Sequence, residues 1–129
     1  MKYWFILMDE EIYDIEEVKA SSEPIYWHNY GSKGCRIQKG DKVAITNGKE
    51  TFYKATVCGE GLIYDTEEIP EIYRRHWKQK CDWFYKVNSY EYVEISKEGE
   101  EIYRKIPVTS IKVKNGSIQN INKQTYEGL

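Results

Sequence analysis

No apolar run in this chain approaches the roughly 18 to 20 residues that a bilayer span requires, so no membrane helix is expected. The N-terminal MKYWFILMDEE has too short an apolar stretch for a signal sequence. It passes at once into acids with no small-residue cleavage site, so the protein is expected to stay cytoplasmic. Cysteine is scarce: Cys35, Cys58 and Cys81 are an odd number with no close pair, which argues against a disulfide framework. Zinc is not expected either, because only His76 and Cys81 approach the short spacing of a ligand pair and no second pair completes the site. A strong charge of one sign is also missing. At a formal net charge of −2 the chain does not attract a polyanion as a whole, so any such attraction must come from a local basic face.

Catalytic signatures are absent as well. The sequence holds no G-x-S-x-G, no P-loop, no H-E-x-x-H and no dinucleotide fingerprint, and no spacing among its acids singles out a working carboxylate pair. A non-catalytic protein that needs no cofactor and no metal is therefore the expectation. Its 129 residues suffice for one domain with one core, spanning 1–129, with no internal repeat and no low-complexity tract.

The basic residues fall in two runs, Lys33, Arg36, Lys39 and Lys42, then Arg74, Arg75, Lys78 and Lys80. The acids gather elsewhere, at Asp9 to Glu17, Glu67 to Glu71 and Glu98 to Glu101. Charge runs of this kind serve equally well as ordinary solvated faces.

Tyr3 to Met8 is a compact aromatic and β-branched run that predicts a buried strand at the centre of a sheet. Asp9 to Lys19 spaces Ile12, Ile15 and Val18 as one helical face, with acids at its start and a lysine at its end, as the helix dipole favours. After the breaker Ser21-Ser22-Glu23-Pro24, Ile25 to Tyr30 reads as extended. Lys42 to Asn47 points Val43 and Ile45 inward, and Asn47-Gly48 signals a hairpin into a return strand Thr51 to Cys58. On that strand Tyr53, Ala55 and Val57 share one face and Phe52, Lys54 and Thr56 the other, with Gly59 and Gly61 ending it. Thr66 to Lys80 predicts a short helix after Pro70 or an ordered loop. Trp83 to Ile95 predicts a strand that Lys97-Glu98-Gly99-Glu100 turns back into Ile102 to Val108, a second hairpin. A third lies between Ile111 to Val113 and Ile118 to Ile121, around Asn115-Gly116. Strands in this number, with little helix, point to an α+β, mainly β domain closed or nearly closed into a small barrel.

Aromatic residues are what the chain has in excess: twelve tyrosines and four tryptophans. A core of this size buries only part of that load, because tyrosine and tryptophan carry a polar tip that seeks water or a partner. Exposed aromatics beside cations are the materials for stacking a base, at about 1–3 kcal/mol per base, while Lys and Arg hold phosphates.

Tyr3-Trp4, the acidic helix, Trp27 with Asn29-Tyr30, and Arg36-Ile37-x-x-Gly40-Asp41-Lys42-Val43 together resemble the opening of EVE domains, members of the PUA-like superfamily related to YTH domains. Phe52 to Val57, Trp83 to Val93, Ile106-Pro107-Val108 and Thr125-Tyr126-Glu127 resemble later family segments more loosely. Two positions depart from the family. Met8-Asp9-Glu10 replaces its usual Ser-Glu-Pro after the first strand, and His28 replaces a glycine after Trp27.

The resemblance implies a PUA-like β-barrel with short flanking helices that binds DNA or RNA carrying a modified base in an aromatic cage, without catalysis. Trp27 would be one wall of the cage, with Tyr30 beside it, and Trp83 or Trp77 the other wall. Asn29 would read the base edge, since its amide both donates and accepts, and Lys33, Arg36 and Lys39 would hold phosphates. Trp27 is accordingly expected to line a concave site. Two alternatives remain: a protein-interaction module built on the tyrosines, and an ASCH-like enzyme acting on a small molecule or nucleoside, whose G-x-K-x-x-E-x-R signature this chain lacks.

Overall fold

The protein is described from a computed structural model, in which residues 1–8, 15–21, 24–28, 37–47, 49–63, 68, 70–73, 90–106 and 118–129 are placed. Among the described residues seven strands and two short helices run in the order β1 (Tyr3–Leu7), α1 (Ile15–Ala20), β2 (Ile25–His28), β3 (Lys42–Thr46), β4 (Glu50–Ile63), β5 (Tyr90–Ile95), β6 (Glu100–Lys105), β7 (Ile118–Ile121) and α2 (Lys123–Glu127). The fold is mainly β. The strands order as β2-β5-β4-β3-β1-β7, with β6 also on β4, and among the described residues this path stays open rather than closing into a barrel.

β1 lies between β3, to which it is parallel, and β7, to which it is antiparallel. Its central place follows from its sequence, since a strand covered on both faces reads as a continuous apolar run. Trp4, Ile6, Val43 and Ile45 face the main core, where Tyr53, Ala55, Val57, Val93 and Ile95 join them. Phe5 and Ala44 face the other way, under Leu129 and beside Tyr126 at the end of α2. The helix is capped by Asn122, whose side-chain oxygen accepts from the Thr125 N–H at 2.7 Å.

The hairpin at Asn47-Gly48 is present as β3–β4. The Asn47 Oδ1 accepts from the N–H groups of Lys49 at 2.9 Å and Glu50 at 3.0 Å, and so forms the turn with a side chain. Phe52 departs from the expected face and packs in the main core. Between Ile45 and Thr46 the register slips so that Thr46 pairs with Thr51, leaving Phe52 as an extra residue on β4 and changing its direction.

Two further expectations are corrected. Gly59 and Gly61 do not end β4, which continues to Ile63. Gly61 pairs with Tyr92, whose ring fills the space where a Cβ would sit, and Glu94 does the same at Gly59, so these glycines admit close cross-strand packing inside the strand. Nor do β5 and β6 form a hairpin. Both run antiparallel to β4, from Ile63↔Tyr90 to Val57↔Ile95 and then from Lys54↔Glu100 to Glu50↔Lys105. They follow one another along the edge of β4 that β3 leaves open, since β3 pairs with the opposite edge.

The first helix is described at Ile15–Ala20, and the earlier part of the predicted span, residues 9–14, lies outside the described residues. A helical turn at residues 71–73 follows Pro70, as expected, with the Tyr73 N–H donating to the Pro70 carbonyl at 3.0 Å. The first arm of the predicted third hairpin lies outside the described residues, while its second arm, β7, pairs with β1. Among the described residues no helix is long and apolar enough to cross a membrane.

Candidate functional site

Of the residues expected to bind a base or phosphate, Trp27 and Lys39 are among the described residues. Trp27 stands on β2 opposite Val93 and is 2% exposed, so its indole is packed in the main core. Lys39 is exposed in the turn before β3. Asn29, Tyr30, Lys33, Arg36, Trp77 and Trp83 lie outside the described residues.

The described surface instead holds an open cleft of about 680 Å³ on the face of the sheet opposite the main core. Strand register dictates its floor. Tyr3, Lys42 and Thr56 stand opposite one another across β1, β3 and β4, so their side chains emerge on one face. The next row is Phe5, Ala44 and Lys54, with Glu100 beyond it on β6. The end of α2 covers Phe5 and Ala44 and leaves the two lysines beside its Tyr126.

Lys42 and Lys54 are half-buried, and among the described residues neither makes an ion pair. The Lys42 Nζ donates to the Thr56 hydroxyl at 2.6 Å, which uses one of its three N–H groups. The Lys54 ammonium sits 4.8 Å from the centre of the Tyr126 ring, a cation–π contact. Burial, with Arg104 nearby, lowers the Lys54 pKa, against the opposing pull of Glu100 and Glu127. Burial also pushes the Tyr126 phenol up to about 12, with smaller contributions from Tyr3 and Glu100, so it remains a protonated donor at neutral pH. The Tyr3 and Tyr126 rings meet at 5.1 Å, tilted by 50°.

The opposite wall is the connection from β5 to β6, with Ser96, Glu98 and Gly99. Tyr53 holds it from beneath: its hydroxyl donates to the Ser96 carbonyl at 2.6 Å and accepts from the Gly99 N–H at 2.7 Å. Gly99 packs against the backbone of Lys54 so closely that a Cβ there would overlap the Lys54 carbonyl oxygen. The carboxylates of Glu98, Glu100 and Glu127 line the exposed rim. Cys58 is exposed at one side, its thiol 3.4 Å from the Glu94 carbonyl oxygen. Among the described residues no cluster of His, Cys, Asp and Glu is arranged to hold a metal.

Chemically the cleft offers a cationic, aromatic floor inside an acidic rim. Sequence reasoning missed it as a unit, although Lys42 stood in the first basic run and Lys54 and Thr56 were assigned to the face away from the core.

Neither a family model nor a curated protein sequence matches the chain. Its fold, however, resembles that of an ASCH protein from Zymomonas mobilis. A tyrosine-to-phenylalanine mutant of that protein superposes with a TM-score of 0.65 at 12% identity, over 99% of this chain and 96% of that one. A serine-to-alanine mutant gives 0.64 at 11%, over 98% and 93%. The parent ASCH structure gives 0.62 at 12%, over 98% and 92%. The likeness extends over nearly the full length of both chains.

Proposed function

We propose that this chain is a non-catalytic, PUA-like nucleic-acid-binding domain that closes into a barrel in the manner of EVE domains. The observation that carries the reading is the pair of half-buried lysines, Lys42 and Lys54, set beside the tyrosines of an open cleft. Cations beside aromatics hold phosphate and stack bases, and the ASCH-like fold is consistent with that use. Selectivity for a modified base is assigned to a second, aromatic pocket of Trp27, Asn29, Tyr30, Trp77 and Trp83, with Lys33, Arg36 and Lys39 on the phosphates. Because Trp27 is 2% exposed, a base reaches it only by entering beside the core, which suits one flipped nucleotide and not a stacked duplex.

The ASCH likeness also supports an alternative, a hydrolase acting on a small molecule or nucleoside. Against it, Gly31-Ser32-Lys33 matches only the first positions of the G-x-K-x-x-E-x-R signature, and Arg36 stands where that signature has glutamate.

A binding screen across single-stranded oligonucleotides that differ in one modified base tests the proposal. Trp27→Phe is the appropriate variant, because alanine would excavate the core at a cost of about 3–5 kcal/mol. It should narrow the preference for the modified base and leave plain oligonucleotide binding in place. If the parent protein binds no oligonucleotide, modified or plain, the proposal fails. Turnover of a nucleoside without retention of any strand would favour the hydrolase.

A further inference from the structure

We infer that the cleft between α2 and the β5–β6 connection takes a phosphate monoester on a nucleoside, either a strand's phosphorylated end or a free nucleoside monophosphate, and excludes the body of a strand. The strand-end form rests on the nucleic-acid reading above; the free-nucleotide form does not.

The argument is one of charge and shape. Lys42 and Lys54 are diagonal neighbours on β3 and β4, so one anion on the floor meets both ammonium groups. A phosphate monoester carries about 1.5 to 2 negative charges at neutral pH, which two lysines match, whereas each internal diester carries one. The Lys54 ammonium is already partly withdrawn from water and rests on a ring face, and among the described residues no carboxylate is in ion-pair contact with it, a position that an incoming anion completes.

The rim then selects for a terminal unit. Glu98, Glu100 and Glu127, all exposed, also line the cleft. A lone phosphate passes them once. A continuous strand must enter and leave, which holds its flanking phosphates against like charge. The volume of about 680 Å³ lies within the range of small-molecule sites and accommodates one nucleotide. Tyr3 and Tyr126, whose rings tilt by 50° to one another, supply two aromatic faces for the base, and the protonated Tyr126 phenol supplies a further hydrogen-bond donor.

The test uses the full chain in calorimetric or NMR titrations. Its probes are the common nucleoside monophosphates, the parent nucleosides, inorganic phosphate, and one short oligomer prepared with a 5′ phosphate, with a 5′ hydroxyl, and as a closed circle. Each monophosphate should bind at least about tenfold more tightly than its nucleoside, the factor expected from a charge-assisted contact. The phosphorylated oligomer should outcompete the circle. Lys54→Met and Lys42→Met should each cost about tenfold on the monophosphate. Should either variant fold poorly, the rim gives an independent check, since Glu98→Gln with Glu127→Gln should raise the affinity of the circle. Equal binding of nucleoside and monophosphate overturns the inference, as does inorganic phosphate binding as tightly as the nucleotides. A circle that competes as well as the phosphorylated end also overturns it, while leaving nucleic-acid binding intact. Failure of every oligomer with retention of the free monophosphates would sink the nucleic-acid reading and support the inference in its free-nucleotide form.

Discussion

Asp41 ties the start of β1 to the turn before β3 through one carboxylate. Gly40 before it takes a positive φ of 95°, open to glycine at little cost, and this aims the Asp41 carboxylate back at the start of β1. There it accepts from the Lys2 N–H at 3.0 Å, the Trp4 indole N–H at 2.8 Å and the Gln38 N–H at 2.9 Å. Burial alone would raise its pKa, but the Lys2, Gln38 and Trp4 donors and the nearby N-terminal ammonium outweigh that and hold it below the ordinary 3.8. Asp41→Asn should destabilise the protein by about 2–3 kcal/mol, because one amide N–H₂ must then face a donor it cannot serve. The pH dependence has a definite sign. A carboxylate with a lowered folded pKa contributes stability that is present above its unfolded value near 3.8 and is lost as pH falls through the folded value. Denaturant unfolding of parent and variant should therefore show a gap that is constant near neutrality and narrows below about pH 4. A gap that widens in acid would refute this account. The Gly-Asp pair was visible in the sequence as part of a family resemblance, yet its three donors were not, because Lys2 and Trp4 reach it only once β1 and β3 pair.

At the scale of the element, the segment from Tyr90 to Lys105 shows where local signals stop short. Lys97-Glu98-Gly99-Glu100 has the composition of a turn, and the chain does deviate there. Turn residues, however, do not fix whether a strand reverses or rejoins its old line. That is decided by β4, a 14-residue strand long enough to pair with β5 and β6 in succession. The Tyr53 hydroxyl settles it by bonding both ends of the connection, at Ser96 and Gly99. Tyr53→Phe should therefore loosen the cleft wall at a cost of about 1–2 kcal/mol. Hydrogen exchange at the Gly99 amide should accelerate while the β1 amides stay protected. Gly99→Ala should cost more, since its methyl would overlap backbone, which cannot swing aside as a side chain does. If both substitutions leave exchange at residues 96–99 unchanged, the clamp has no mechanical role. β1, β3 and the hairpin into β4 were legible because apolar runs and Asn-Gly carry their meaning within a few residues. The continued β5–β6 edge was not, because its meaning resides in a partner strand 27 to 55 residues away, from Ile63↔Tyr90 to Glu50↔Lys105.

Across the whole molecule, charge decides between two surfaces for nucleic acid. The sequence directs attention to Lys33, Arg36 and Lys39 and to the run from Arg74 to Lys80, because they are dense in cations. The cleft has Lys42, the last residue of the first basic run, and Lys54, which the sequence did not single out, drawn from separate strands and made neighbours only by the register. These surfaces predict different salt dependence. Each neutralised phosphate on a single strand contributes about −0.7 to the slope of log K against log salt. If the cleft makes the contacts, it does so through a strand's phosphorylated end, whose roughly two charges meet the two lysines, and the slope should be near −1.4 between about 50 and 200 mM salt. Lys54→Met should then halve the slope, and Lys42→Met should do the same, whereas Lys39→Met should leave it unchanged. Two basic runs acting together would give a slope steeper than about −4, insensitive to Lys54. Fluorescence titrations of one labelled oligonucleotide at several salt concentrations, across the parent and these three variants, separate the outcomes. A steep slope that survives Lys54→Met would move the strand off the cleft and onto the basic runs that the sequence first suggested.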